Sequence, residues 1–216
     1  MNTSLLIRSV AQVQQAILGN ESQIESLDRA IGDGDHFINV RRGCEVAVAL
    51  SLELQALPPG PAFHKLGMKL LSTIGGASGP LIASFFMAMG KTLGDTPEPD
   101  RALFAAAFAD GVEAIKSRGK ADVGEKTMLD VLIPVSRLLT RLVAEGTALA
   151  PLCDQLAAEA TRNMLATRDM VATKGRAHFL GERAIGHIDP GCKTCEVAIC
   201  AVCELVCQPQ AALVEH

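Results

Sequence analysis

The chain has 216 residues, of which 49% are hydrophobic, and a formal net charge of −4 at pH 7. That supplies one sizeable core, so a single domain over residues 1–216 is expected; the acidic balance, with a pI near 5.7, lacks the basic surface that a DNA or RNA backbone demands, so no nucleic-acid partner is expected. The longest apolar stretch, 80–89, is far short of the ~20 residues that span a bilayer, and no basic region with an apolar run opens the chain, so no membrane partner and a cytoplasmic location are expected.

Apolar residues recur at three- and four-residue intervals almost throughout, with no sustained alternation, which predicts an all-α fold. Leu5, Leu6, Val10, Val13 and Ile17 line one face of a first helix, entered at Thr3 or Ser4 and closed by Gly19-Asn20. A short helix over 21–29 ends at the loop Gly32-Asp-Gly-Asp35, and a long helix over 36–55 is stopped by Pro58-Pro-Gly-Pro61. Further helices are predicted at 62–73, 79–93, 101–118 with Asp100 as N-cap, 126–144, and 151–173 with Pro151 in its first turn. A polar stretch over 174–191 precedes a last helix at 192–207, giving about eight helices without linker or solenoid repeat.

Five of the seven cysteines fall at 192, 195, 200, 203 and 207. Two Cys-x-x-Cys pairs invite a zinc reading, but only four residues separate them, whereas zinc ribbons place a longer excursion between pairs. On one helix, at about 100° per residue, the five share an arc of roughly 140°, where a small apolar residue suits close packing. Buried, inert thiols are the expected reading, with a cysteine-rich metal module as the weaker alternative.

The apolar helical text is broken by four glycine-rich polar loops, each before a helix: 28–36, 75–79, 119–127 and 186–191. A helix N-terminus offers unpaired N–H groups to an anion, and glycine lets the backbone approach a phosphate closely. Taken singly, each of these loops reads first as an ordinary turn, and it is the four together that point to an anion site. The first adds Asp28, Asp33 and Asp35, hard oxygen ligands of the kind magnesium takes, although Asp28 and Asp35 also stand where helix caps stand. An EF-hand counted from Asp33 fails, because its fifth and twelfth positions hold Phe37 and Cys44. Gly90-Lys-Thr92 resembles the end of a P-loop, but Phe85 replaces the first glycine; the dinucleotide fingerprint begun at Gly32-x-Gly34 breaks at Phe37. Two magnesium ions against three aspartates would leave about one positive charge to meet a polyphosphate.

The segments Leu27-Asp-Arg-Ala-Ile-Gly-Asp-Gly-Asp-His36, Gly75-Gly-Ala-Ser-Gly-Pro-Leu81, Gly124-Glu-Lys-Thr-Met128 and Gly175-Arg-Ala-His-Phe-Leu-Gly-Glu-Arg-Ala-Ile-Gly-His-Ile-Asp-Pro-Gly191 resemble, in order and spacing, the nucleotide-binding L subunit of dihydroxyacetone kinase. The resemblance covers essentially the whole chain. It implies a barrel of about eight antiparallel helices with ADP or ATP at one end. Asp28, Asp33 and Asp35 would hold two Mg2+ ions that bridge the phosphates; His36, Asn39, Ala77, Ser78, Gly119, Met128 and Arg176 would contact the nucleotide; Asp189, Pro190 and Gly191 would close over the nucleoside. Arg176 would neutralise charge on the γ-phosphate. The implied activity is phosphotransfer to a small ketose, triose or tetrose, bound on a separate K subunit. No fused partner accompanies the chain, which points to the multi-subunit form. The phosphoryl source stays open between free ATP and a phosphotransferase-type M subunit that rephosphorylates bound ADP, as does a homodimer. A nucleotide-state sensor that binds a regulatory partner without catalysing transfer is the alternative. Phe37 and Ile38 depart from the family's small residues, and Phe37 is expected to shape the mouth of the site; His178 departs too and is expected at the surface.

Overall fold

The computed structural model describes residues 2–76 and 78–208. In chain order its helices are α1 (Thr3–Gly19), α2 (Glu21–Ile31), α3 (His36–Ala49), α4 (Ser51–Gln55), α5 (Pro59–Thr73), α6 (Ser78–Leu93), α7 (Arg101–Gly119), α8 (Leu129–Ala144), α9 (Leu149–Ala166) and α10 (Pro190–Cys207), with 3-10 turns at Thr167–Asp169 and Arg176–Ala184. None of them is long and apolar enough to cross a membrane.

Packing runs α1 to α3, α3 to α5, then successively α5, α6, α7, α8, α9 and α10, and α10 returns to α1. Eight helices therefore close a barrel, as expected, and α2 and α4 lie outside the ring. Because neighbours alternate in direction, α3, α6, α8 and α10 bring their N-termini to the same end, and α5, α7 and α9 deliver their C-terminal ends there. The four glycine-rich loops make these connections, so antiparallel closure alone gathers them. The core is continuous through the barrel, from Leu54, Leu66, Leu70 and Leu93 on one side to Val131, Val135, Leu156 and Met164 on the other.

Several boundaries differ from the sequence reading. The cap of α1 is Asn2, whose carboxamide oxygen accepts from Leu5 N at 3.0 Å. The helix expected over 36–55 divides at Leu50, and Pro59 begins α5 instead of ending its predecessor, since proline at N1 loses no hydrogen bond. Residues 126–128 precede α8 instead of opening it, because Lys126 adopts a left-handed φ of 60°. The helix expected over 151–173 stops at Ala166. Asp100 caps α7 as predicted, accepting from Leu103 N at 2.7 Å.

The α5–α6 contact depends on glycine. A Cβ on Gly90 would lie 2.6 Å from His64 N, and one on Gly67 would lie 2.7 Å from Met87 Cγ. Backbones this close leave no room for a methyl group. Gly90→Ala should therefore cost about 2 kcal/mol in urea unfolding, overpacking outweighing the better helix propensity of alanine; an unchanged or raised midpoint would show that α5 and α6 can separate freely.

Candidate functional site

The carboxylate loop is built by α2 turning into α3. Asp28, only 3% exposed, lies in the last turns of α2, and its Oδ2 accepts from His36 N at 3.0 Å, which folds the loop back on itself. Gly32 is required by proximity: a Cβ there would sit 1.8 Å from Asp28 Oδ1. Thus Asp28 does serve the first N–H of α3, whereas the Asp35 carboxylate makes no capping bond although Asp35 is the N-cap residue. Asp35 Oδ2 instead faces Gly76 of the second loop, 3.6 Å from where a Cβ would stand. Asp33 projects at the surface and pairs with Arg176, Oδ2 to Nε 2.9 Å.

Burial lowers the pKa of the His36 imidazole and outweighs Asp28, Asp35 and Asp33, which favour its protonation, so the neutral ring is preferred at pH 7. Its Nε2 meets Thr194 Oγ1 at 2.8 Å, and that hydroxyl donates to Pro190 O at 2.9 Å. The first loop is thereby tied to the start of α10. Among the described residues no three His, Cys, Asp or Glu side chains stand close enough together to chelate a metal in this arrangement. Asp33 stands at the surface with Arg176, apart from the buried Asp28. The donor set still suits a hard divalent cation: three carboxylates around one loop, with Asp35 free of any capping bond.

The second loop lies against α3. Gly76 has φ 71°, and the buried Asn39 stands beside it, with Nδ2 3.1 Å from the Cβ position at Gly76 and Oδ1 3.2 Å from that at Gly75. Ser78 begins α6 and is half-buried; Ala77 lies outside the described residues. The third loop starts at Gly119, the last residue of α7, which lies against Leu81 in the first turn of α6. It is organised by Asp130, whose carboxylate accepts from Gly124 N and, at 2.8 Å, from Thr127 N. Met128 then meets the fourth loop, 3.6 Å between its Cβ and the Cβ position at Gly191.

Asp189 caps α10, accepting from Cys192 N at 2.7 Å, and Pro190 occupies the first turn. Dense surroundings raise the Asp189 pKa to about 6, partly offset by the Cys192 N–H, while the nearby Asp130 carboxylate raises it further. Its carboxylate is spent on the helix, so Asp189 shapes the loop that exposes Gly191 instead of pointing a free charge outward. Cys192 is fully buried and its thiol donates to Thr127 O at 2.8 Å, joining the third and fourth loops; burial also pushes the Cys195 thiol up to about 12. These two thiols pack and hold loops, and they are not poised as thiolates.

Every sequence-predicted site residue that is described thus lies at one end of the barrel, on its loops or on the helix ends that adjoin them. The reading of Phe37 is overturned. It is 2% exposed and packs with Ile17, Ile24 and Val197 between α1, α2, α3 and α10, so it belongs to the core; Ile38, 47% exposed, faces outward in its place. A helix turns consecutive residues by about 100°, and only one of the two can face the barrel. His178 is exposed, as expected. Missed by sequence reasoning were Lys126, Asp130, Thr167 and Thr194, which hold the loops together; Thr167 Oγ1, for instance, accepts from Asp189 N at 3.1 Å.

Four helix N-termini, a carboxylate loop and an arginine gathered at one end define a helical protein suited to phosphate and hard cations together. The DAK2 domain family matches residues 30–204. The ADP-binding subunit of the PTS-dependent dihydroxyacetone kinase of Lactococcus lactis is 40% identical over 86% of this chain and 88% of its own. The ADP-binding subunit of the PEP-dependent dihydroxyacetone kinase 1 of Listeria innocua is 40% identical over 80% and 81%. The crystal structure of the dihydroxyacetone kinase from C. freundii in complex with AMP-PNP and Mg2+ superposes with a TM-score of 0.71 at 27% identity, covering 94% of this chain. This chain spans 34% of that longer one. The chain belongs to the family of nucleotide-binding L subunits of dihydroxyacetone kinase.

The raised pKa of Asp189 has a definite pH signature. A carboxyl that holds its proton more tightly folded than unfolded favours the folded state below the unfolded pKa, and that contribution is lost as pH rises through about 6. Relative to Asp189→Asn, the wild type should therefore gain on the order of 2 kcal/mol in denaturant melts between pH 7 and pH 4. Parallel pH profiles of the two proteins would place the carboxylate in water.

Proposed function

We propose that this chain is the nucleotide-holding subunit of a small-ketose kinase. The observation that carries the reading is the gathering of Asp28, Asp33 and Asp35 with the N-termini of α3, α6, α8 and α10 at one end of the barrel. Asp28, Asp33 and Asp35 would hold two Mg2+ ions, which would supply neutralisation of polyphosphate charge. His36 and Asn39 line the phosphates from α3 and Ser78 does so from the start of α6, with Ala77 as a further nucleotide contact. Gly119, Met128 and the loop of Asp189, Pro190 and Gly191 enclose the nucleoside, where the glycines leave space for a flat ring. The neutral His36 adds no cation and offers its ring as a hydrogen-bonding group held by Thr194.

Phosphoryl transfer asks mainly for positioning and charge compensation, with little covalent work for the protein. Arg176 is the catalytic residue of this chain. In the structure its guanidinium pairs with the exposed carboxylate of Asp33, an interaction worth little in water. With Asp33 committed to a cation, Arg176 would be left unpaired and free to face the transferring phosphoryl group. The acceptor hydroxyl and its base come from a separate ketose-binding K subunit, a division that fits relatives named as the ADP-binding subunit of a dihydroxyacetone kinase. The relatives named as PTS- and PEP-dependent support an M subunit that rephosphorylates ADP held in place, so that the nucleotide serves as a cofactor. Seven free cysteines suit the reducing cytoplasm.

Asp33→Asn tests the cation role. Asp33 is exposed and its one ion pair lies at the surface, so the melting temperature without ligand should barely move. The added stability that ADP and Mg2+ give the wild type, about 2.7 kcal/mol at a hundredfold excess over Kd, should fall by more than half. Equal ligand-induced shifts in the two proteins would remove Asp33 from the cation site, and a variant already destabilised without ligand would make it structural.

A further inference from the structure

The segment that carries Arg176 is an arm. It leaves the body at Met170, passes through the 3-10 turn of Arg176–Ala184 with bends at Gly175 and Gly181, and returns at Ala184. Its outer part is exposed, Phe179 by 80%, and its inner face makes one small apolar cluster, Ala172, Ala177, Ala184 and Leu180 against Ile31 of α2. Thr173 also donates from N and Oγ1 to Glu125 O and Oε1 at 3.3 Å each, and Gly186 N donates to Arg168 O at 2.8 Å beside the base, but none of these bonds reaches Arg176 or joins the two ends of the arm to one group.

The neck of the arm is closed by Lys126. This lysine is 1% exposed, and its Nζ donates to Met170 O at 3.1 Å and to Ala184 O at 2.7 Å, the two carbonyls at which the arm begins and ends. It reaches them from a left-handed backbone, φ 60°, a conformation that non-glycine residues avoid at a cost of about 1–2 kcal/mol. Burying an ammonium group costs more unless its donors are met. The fold retains both costs at a position where a solvated lysine would carry neither, and the ammonium also stands within the field of Asp189 and Asp169. Asp130, by fixing Gly124 and Thr127 on either side, holds the short loop from which Lys126 points inward.

We propose that Lys126 is a positioning residue of the nucleotide site: by pinning both ends of the arm on one buried ammonium, it holds Arg176 over Asp33 and the phosphates. The proposal rests on the function assigned above. With both ends tied, the arm is a closed loop of restricted reach; with the pin removed, its base widens and the guanidinium spends less time at the site. Lys126 does not touch the nucleotide, and its effect passes through Arg176.

That route is tested by a double-mutant cycle with Lys126→Met, Arg176→Gln and the double variant. Methionine keeps the length, the backbone strain and the apolar stem of lysine while removing the donors. In wild type, Lys126→Met should weaken ADP binding in the presence of Mg2+ about 10-fold and lower kcat with the partner subunit, leaving KM for the ketose unchanged. On the Arg176→Gln background the same substitution should add less than about twofold, because the arm no longer carries anything to position. Without nucleotide, trypsin should cut Lys126→Met faster at Lys174, Arg176 and Arg183 under conditions where the protein remains fully folded, and Lys126→Gln, which keeps donors on a shorter stem, should restore part of both the binding and the protease resistance. Multiplicative losses in the cycle, or wild-type affinity and proteolysis in Lys126→Met, would overturn the proposal. So would the failure of both Lys126 variants to fold, which would make the lysine part of the core. A wild type that binds no ADP with Mg2+ would instead refute the assigned function, while the trypsin pattern would still judge the pin.

Discussion

Antiparallel closure of the barrel is the constraint on which the rest depends. Once eight helices alternate around a ring, every second one must present its N-terminus at the same end, and the connections between them must meet there. Four helix starts turn their positive dipole ends to that side, where Asp28 and Asp189 already accept one N–H each of α3 and α10. Polar chemistry is concentrated by topology while the apolar faces stay buried together. Glycine at Gly60, Gly67 and Gly90 keeps α5 and α6 at backbone contact.

The loops are linked to one another chiefly by buried polar groups instead of apolar packing. Thr194 joins the first loop to α10 through His36, Cys192 joins the third loop to the fourth, and Lys126 joins the third to the arm. Each of these bonds lies where an unpaired group would be expensive, which favours one arrangement of the loops over alternatives of similar shape. The exposed Asp33–Arg176 pair is the exception. Its low cost of breaking fits two groups whose proposed duty is to exchange partners.

Much of this was legible in the sequence. Helices announced themselves through their three- and four-residue apolar spacing, and the loops through glycine and aspartate, whose backbone and charge behaviour is unlike that of neighbouring residues. Proline was ambiguous, because Pro59 can either end one helix or begin the next, and the break at Leu50 has no residue to mark it. Phe37 and Ile38 show a different limit: both are apolar beside a polar loop, and only the rotation of α3 in the barrel decides which is buried. Lys126 was invisible for a related reason. A lysine between a glutamate and a threonine reads as solvated, and nothing in its vicinity reveals that two distant carbonyls close over it.

Gathering carboxylates and helix N-termini at one end should make nucleotide binding depend on a divalent cation. Calorimetric titration of ADP into the purified chain measures this directly, once with millimolar Mg2+ and once with chelator. About one ADP per chain with Mg2+, and an affinity at least 100-fold weaker without it, is the expected result. Equal affinity in both conditions, or no binding in either, would contradict it.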